Sequence, residues 1–569
     1  MLKNLFVFCL FILFAAPLWA EGNCTAGDQL PIKLMKAELK RGFKTYKKQK
    51  PPIYYLSYTY TEQQIKNISV ATNGVINDFS YTNDYVEVSA RAGSPKMDNT
   101  RPPKEHREAA SFVGIDLVPV PTSQNNLAFR LALWNLTDNI AKKAQGDLRK
   151  VEADNQTGSE RQDKSDDFVF PPKSSFCHME PEVTVDMERM KDRLVRLSNI
   201  VRGNKDVLNS EFNFRVTQGH RYFVDSVGTE LVTPFLQMRL SYSFNSKTPD
   251  GLLLERGNSY DVLSEQELPD EQTLRADMEK SLKELQELLN APEADPVTVP
   301  AILKNRAMAV FVHEVLGHRM EGHRQKQDSF GKTFTSKIGQ LVTAPFITIV
   351  DDATMKFFNG KPLRGFYEYD DEGVKVRPVT LVENGILREF LMSSSPINGF
   401  GTSNGHGRRE LGENPVSRMG VTRLMSSQTV SYEELEKKLL EEIKKQNKPY
   451  GYVIDDLSGG FTLTGTFFPQ VFKLEPKYVY RLYPDGRKEV VRGADMVGTP
   501  LVSFSKILAV ANDDAVFNGD CGAESGWVPV SAISPSVLLE SLEIEKTAKD
   551  SKKPPILPAP IATMKEVKK

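Results

Sequence analysis

The stretch Val312-His313-Glu314-Val315-Leu316-Gly317-His318-Arg319-Met320-Glu321-Gly322-His323 is the point where the chain changes character. Before it, residues 301–316 read as a helix whose apolar run, 307–312, argues for burial. After it, β signals dominate. Residues 346–350 read as a short strand, and 379–383 and 386–392 flank Asn384-Gly385, the dipeptide best suited to a type I′ hairpin turn. Residues 478–483 and 488–492 flank Pro484-Asp485-Gly486-Arg487 in the same way. One helix interrupts, opened by Ser431 with Glu434 three residues on, a capping box. Working upstream, Asp295-Pro296 begins a linker, and Asp270 caps a helix to about residue 289 with Leu274, Met278, Leu282 and Leu285 on one face. Strands are expected at 53–61, 212–216, 222–227 and 236–244, and helices at 187–201 and 126–151, the latter with Leu127, Leu131 and Trp134 at helical spacing. The mixture lacks a βαβ rhythm, so the fold class is α+β: a mixed N-terminal α/β-type domain (21–295), then a mostly β C-terminal domain (296–547) entered through the helix that ends in His313. Residues 153–167 read as a polar surface insertion, and the Lys- and Pro-rich 548–569 as a flexible tail.

The chain has 569 residues, 40% hydrophobic and 26% charged, with a formal net charge of -1. Such a balance describes a globular protein and gives no electrostatic reason to expect nucleic acid or an anionic membrane as partner. Residues 1–20 form a separate unit: Lys3, an apolar run at 5–18, then Leu18-Trp19-Ala20, the layout of a secretory signal peptide cut after Ala20. The alternative is an uncleaved anchor, although the run falls short of the roughly 20 apolar residues that span a bilayer. The mature protein is therefore expected to be exported, periplasmic or extracellular, with no membrane contact after cleavage. Cys9 leaves with the leader, so Cys24, Cys177 and Cys521 remain. An odd count in an oxidising compartment suggests one disulfide and one thiol with another task. Cys24 and Cys177 form the natural pair, both in the N-terminal half, and Cys521 is left over. The competing reading has all three unpaired and buried.

A helix ending in His-Glu is the arrangement in which two histidines bind zinc and the glutamate activates water. The usual second histidine stands four residues on. Here that position is Gly317, and His318 is the fifth. On a regular helix five residues set His313 and His318 roughly 140° apart, too far to share an ion. A π-bulge, or a helix that breaks at Gly317, brings them back together. The bland reading makes His313 a core histidine and His318 a helix-end histidine near favourable carbonyls. His323 reads as a surface histidine. Asp370, Asp371 and Glu372 read as a solvated turn rather than a calcium loop, since no further acidic ligands follow at loop spacing. The Gly-rich 399–407 is suited to run beside an extended peptide. Arg408 and Arg409 are candidates to pair with a substrate carboxylate, or with Glu410 and nearby acids; solvated turn arginines are the alternative.

The His313, Glu314, His318, Glu321, Gly322 pattern resembles that of the TldD/PmbA family of metallopeptidases. Asp370-Asp371-Glu372-Gly373, the Glu383-Asn384-Gly385 hairpin, Gly405-His406-Gly407-Arg408-Arg409-Glu410 (with His406 where the family usually has Asn) and Cys521-Gly522 followed by Val528-Pro529-Val530 are similar to later family segments in the same order. The resemblance covers residues 306–544 and is vaguer before them. It implies one Zn²⁺ per chain, held by His313, His318 and Cys521, with Glu314 as general base. Two imidazoles and a thiolate suit Zn²⁺ and leave a fourth position open. It further implies a peptidase acting on unfolded or small peptides with a metal-activated water, working as a homodimer or as a heterodimer with a related subunit. The leader departs from the cytoplasmic setting of the better-known members. Two rivals make different predictions. A non-catalytic assembly protein with a structural zinc site would need a fourth protein ligand, for which His323 is the candidate. A metal-free scaffold would have a straight helix through Gly317 and a Cys521 remote from both histidines.

Overall fold

The computed structural model describes residues 23–72, 74–101, 117–120, 126–157, 163–326, 332, 334–462, 471–549, 555 and 557. The expected leader and nearly all of the expected tail lie outside them.

The first half is organised by one long strand, Ile53–Ala71, bordered antiparallel by Gly74–Ser94 on one side and Asn209–Asp225 on the other. Glu230–Lys247 and Leu253–Val262 extend the sheet antiparallel, and Ser175–Cys177 adds to Glu230–Lys247 in parallel. Side chains alternate faces along a strand, so Tyr58 and Ile68 share a face, and two helix pairs cover it. Leu30–Tyr46 and Asn126–Thr157 pack on Leu56, Tyr58, Val86 and Val88, while Met187–Ser198 and Glu271–Asn290 pack on Ile68, Phe212, Phe214 and Phe244. The opposite face carries Glu87, Arg221 and Arg239, which meet the second half: Glu87 pairs with Arg409, Arg221 with Asp371, and Arg239 donates to the Asn518 carbonyl at 3.0 Å.

Among the described residues the second half is built on two larger sheets, beside two short two-stranded ribbons. In one, Gly451–Thr462, Val297–Leu303, Val537–Lys546, Ala494–Gly498 and Phe472–Leu482 are neighbours in turn, and Phe472–Leu482 pairs back onto Gly451–Thr462, closing a barrel-like ring. The other runs from Ile386–Leu387 through Val379–Glu383, Ile347–Asp351, Val421–Ser426 and Gly526–Ser534 to Ala515–Ala523. The helix Asn305–Val315 is wedged between them, packed on Gly451–Thr462 and on the Ala515–Ala523/Gly526–Ser534 ribbon. Phe311 sits between Phe472 and Phe504. A helix so enclosed is apolar nearly all round, which accounts for the run 307–312.

The mixed class, with its mostly β second half, is as expected, but several details differ. The second half opens with the strand Val297–Leu303, not with the helix. Its β-branched Val297, Thr298 and Val299 fit a pleated surface. Leu30–Tyr46 is a helix in a stretch for which no element was expected, its buried Ile32, Met35 and Leu39 spaced three and four apart. On Asn126–Thr157 the buried stripe is Leu133, Leu136, Ile140, Ala144 and Leu148, whereas Leu127, Leu131 and Trp134 are 67%, 51% and 53% exposed. The helix carries two apolar stripes, and the sheet takes the longer one. The region expected as a polar insertion is helical to Thr157, and its end docks on the second half: Val169 N–H donates to the Ser394 carbonyl at 2.8 Å and Ser165 Oγ to the Pro396 carbonyl at 2.9 Å. Asn384 and Gly385 both have positive φ, 49° and 80°, as a type I′ turn requires. Ser431 accepts from the Glu434 N–H at 3.2 Å. Cys24 and Cys177 are disulfide-bonded, Cα atoms 5.2 Å apart. Among the described residues no helix is long and apolar enough to cross a membrane.

Candidate metal centre

The helix carrying His313 ends at Val315. Leu316 caps it at the edge of the right-handed helical region (φ -105°, ψ -52°), and residues Gly317–Met320 form a 3₁₀ turn. The break brings the His313 and His318 ring centroids to 5.1 Å in an edge-to-face pair. Gly317 is required here by space: a Cβ would stand 2.0 Å from Met419 Sδ. Beyond the turn the chain is pinned to Leu391, whose N–H donates to the Met320 carbonyl at 2.9 Å while its own carbonyl accepts from Gly322 N–H at 2.8 Å.

Cys521 arrives from the other direction, on Ala515–Ala523 opposite Val528. Its Sγ lies 3.1 Å from His313 Nε2 and 3.3 Å from His318 Nε2, and all three side chains are buried. Burial pushes the thiol up, but His318, His313 and Arg418 hold it well below its usual range. Burial opposes the imidazolium at both histidines, yet Cys521 and Glu321 draw the His318 pKa well upward and Cys521 draws that of His313 upward. Two imidazole nitrogens and a thiolate whose ligand atoms all lie within 4.8 Å of one another form a donor set that fits a borderline-soft, tetrahedral cation such as Zn²⁺. Neither requirement of the metal-free scaffold is met: the helix is not straight through Gly317, and Cys521 is not remote.

Glu314 borders this cluster, its Oε2 4.0 Å from His318 Nε2, and its side chain keeps 13% exposure against 6% for His318. Burial raises its carboxyl above the usual range against the pull of His318 and His313, a direction that suits a proton acceptor working near neutrality. His323 is buried, contrary to expectation. It groups with Glu321 and Glu524, its Nε2 3.6 Å from Glu524 Oε2.

The remaining sequence candidates lie elsewhere. Arg408 donates to the carbonyls of Met419 and, at 2.7 Å, Pro529, and its guanidinium lies 4.6 Å from the centre of the Tyr367 ring. Arg409 makes a two-pronged pair with Glu87 across the seam between the halves. Asp370 and Glu372 are buried rather than solvated. Asp370 accepts from the N–H groups of Glu372, Val374 and Gly407, and Glu372 from Ser394 N–H at 2.6 Å. The acidic run thus serves as an acceptor for a tightly folded loop.

Sequence reasoning passed over Arg418, one of the largest fully buried side chains among the described residues. It donates to the Cys521 carbonyl, to Ser525 Oγ at 2.9 Å and to the Gly526 carbonyl at 3.0 Å, and its Nε lies 3.4 Å from Glu321 Oε1. It therefore ties the strand bearing the thiol to the segment bearing the histidines. No spacing marks it in the sequence, because its partners come from remote segments.

The profile of the PmbA/TldA metallopeptidase C-terminal domain matches residues 296–546. A metalloprotease of Methanocaldococcus jannaschii is 30% identical over 244 residues, 43% of this chain and 50% of that protein. The metalloprotease TldD homolog of Haemophilus influenzae is 30% identical over 264 residues, 46% and 50% of the two chains. A zinc metalloprotease TldD homolog of Saccharolobus solfataricus is 26% identical over 246 residues, 43% and 51% of the two. The chain thus spans about half the length of these curated relatives. Among solved structures, TldE of Thermococcus kodakarensis superposes with a TM-score of 0.60 at 15% identity, over 90% of this chain and 99% of that one. That likeness is one of fold.

Proposed function

This chain belongs to the TldD/PmbA family, and on that premise we propose that it is a zinc-dependent peptidase acting on unfolded or small peptides. The observation that carries the reading is the convergence of His313 Nε2, His318 Nε2 and Cys521 Sγ beside the Glu314 carboxylate. His313, His318 and Cys521 would hold one Zn²⁺. When bound, such an ion supplies Lewis acidity toward a peptide carbonyl and a water. The rest falls to the chain's own groups. Glu314 is the base: its carboxylate takes the proton of the attacking water and returns it to the leaving amine. Its partial exposure gives it access to water, while the buried histidines stay shielded. Arg418 and the Leu391 contacts keep the cluster assembled before substrate arrives, which lowers the cost of organising it during the reaction.

The names of the metalloprotease relatives and the choice of donors support this reading. Pairing with a second copy or a related subunit is part of it. So is export, which the leader and the Cys24–Cys177 disulfide favour, since such bonds persist in oxidising compartments.

The test is expression from Glu21, measurement of bound zinc, and digestion of an unstructured peptide library beside Glu314→Gln. About one zinc per chain with cleavage by the parent alone is the expected result. Zinc retained without cleavage by either protein favours the structural-clamp reading, and protein purified without chelator yet free of zinc overturns the proposal.

A further inference from the structure

Glu321 is a fully buried carboxylate just beyond His318, and the proposed reaction assigns it no task. Burying such a charge is costly unless it is paired and hydrogen-bonded. Its Oε2 accepts from Arg324 Nε at 2.7 Å and lies 3.3 Å from His318 Nδ1, while Oε1 faces Arg418 Nε at 3.4 Å. Neutralising Arg324 does not account for it, because Arg324 already has a two-pronged carboxylate partner in Glu524, at 2.6 and 2.7 Å. What Glu321 has and Glu524 lacks is the contact with the His318 ring.

The two histidines are held differently. His313 lies within a helix packed on both sides, and its Nδ1 has no hydrogen-bond acceptor among the described residues. The packing alone sets its ring. His318 stands past the helix end on a 3₁₀ turn, where backbone geometry constrains the ring less. A histidine can ligate through either nitrogen, and the hydrogen bond made by one decides the role of the other.

We infer that Glu321 is a positioning residue for the metal centre: its carboxylate takes the His318 Nδ1–H, fixing the tautomer and the ring so that Nε2 faces Cys521 Sγ and His313 Nε2. Arg324 and Arg418 hold the carboxylate in place, and the backbone on either side is anchored to Leu391. This inference rests on the reading of the cluster as a zinc site.

The test compares zinc affinity, by competition with a chromophoric chelator, and the cobalt(II) ligand-field spectrum in the mature chain, Glu321→Gln and Glu524→Gln. Glu321→Gln is expected to weaken zinc binding roughly 10–100-fold, the range for lost outer-shell partners, and to shift the cobalt bands. Glu524→Gln, which takes the other carboxylate from Arg324, should leave both unchanged. Unaltered affinity in Glu321→Gln, or an equal loss in Glu524→Gln, overturns the inference. A parent that binds no zinc overturns the metal reading and this inference with it, a result distinct from a zinc-binding parent with an indifferent Glu321→Gln. Should Glu321→Gln fail to fold, the zinc-loaded parent labelled with ¹⁵N-histidine decides: a His318 Nδ1–H shifted downfield of the His313 Nδ1–H, which has no acceptor among the described residues, is expected, and equal shifts overturn the assignment.

Discussion

Cys521 Sγ and His313 Nε2 lie 3.1 Å apart although 208 residues separate them in sequence. Two different sheets and the helix wedged between them must assemble before the contact exists, so the cluster reports on the tertiary fold of the whole second half.

Removing the sulfur should therefore weaken metal binding without unfolding the protein. Four-ligand structural zinc sites have apparent binding energies of roughly 10–16 kcal/mol; one ligand's share of that puts Cys521→Ser at a loss of about 3 kcal/mol or a hundredfold in affinity. Chelator competition measures it, and the parent's thermal transition without metal should be retained.

Glu314→Gln keeps the shape of the base and removes its proton affinity. Cleavage should fall by about 10²–10⁴, the usual contribution of a general base, with bound zinc unchanged. A parallel loss of zinc would instead make Glu314 part of the binding set.

Gly317→Ala places a methyl against Met419 Sδ, 2.0 Å away before relaxation. Overpacking of this kind costs about 1–3 kcal/mol, and the 3₁₀ turn that presents His318 must shift with it. Denaturant unfolding and zinc affinity should both fall. Met419→Ala in the same chain should recover much of the loss, because it removes the colliding atom.

Burial raises the Glu87 carboxyl, but Arg409 outweighs it and holds the group below its usual value. The sign follows from linkage: the pair's stabilisation is complete above the unfolded pKa, about 4.3, and is lost as pH falls through the lower folded value. Arg409→Met leaves a buried, unpaired charge and should cost about 3–5 kcal/mol near neutrality. The gap to the parent should narrow in acid, where Glu87 is neutral. A gap that does not depend on pH would mean the loss is one of packing.

The two stripes on Asn126–Thr157 should separate cleanly. Leu133→Ala, in the buried stripe, should cost about 2–5 kcal/mol. Leu131→Ser, in the exposed one, should fall within about 0.5 kcal/mol of the parent. Urea unfolding distinguishes them.

These contrasts mark what the chain's one-dimensional pattern determines. Turn and cap chemistry is local, so Asn384-Gly385 and the Ser431–Glu434 box were readable and recur in the structure. So were the histidine pair, its forced break near Gly317 and the odd cysteine, because each follows from spacing or counting. What the pattern left open depended on which surfaces meet. Leu127, Leu131 and Trp134 have helical period as good as the buried stripe, and only the position of the sheet decides between them. Arg408, Arg409 and the acidic run 370–372 look like solvated charges until the two halves close over them and supply Glu87, Arg221 and backbone donors. Arg418 acquires its role from partners brought in by other segments, and it is the remote member of a Glu321 set whose other two, His318 and Arg324, stand three residues to either side. Periodicity encodes which residues want burial, whereas pairing of buried charges is a property of the assembled fold, since a low-dielectric interior makes each ion depend on neighbours that sequence separation does not reveal.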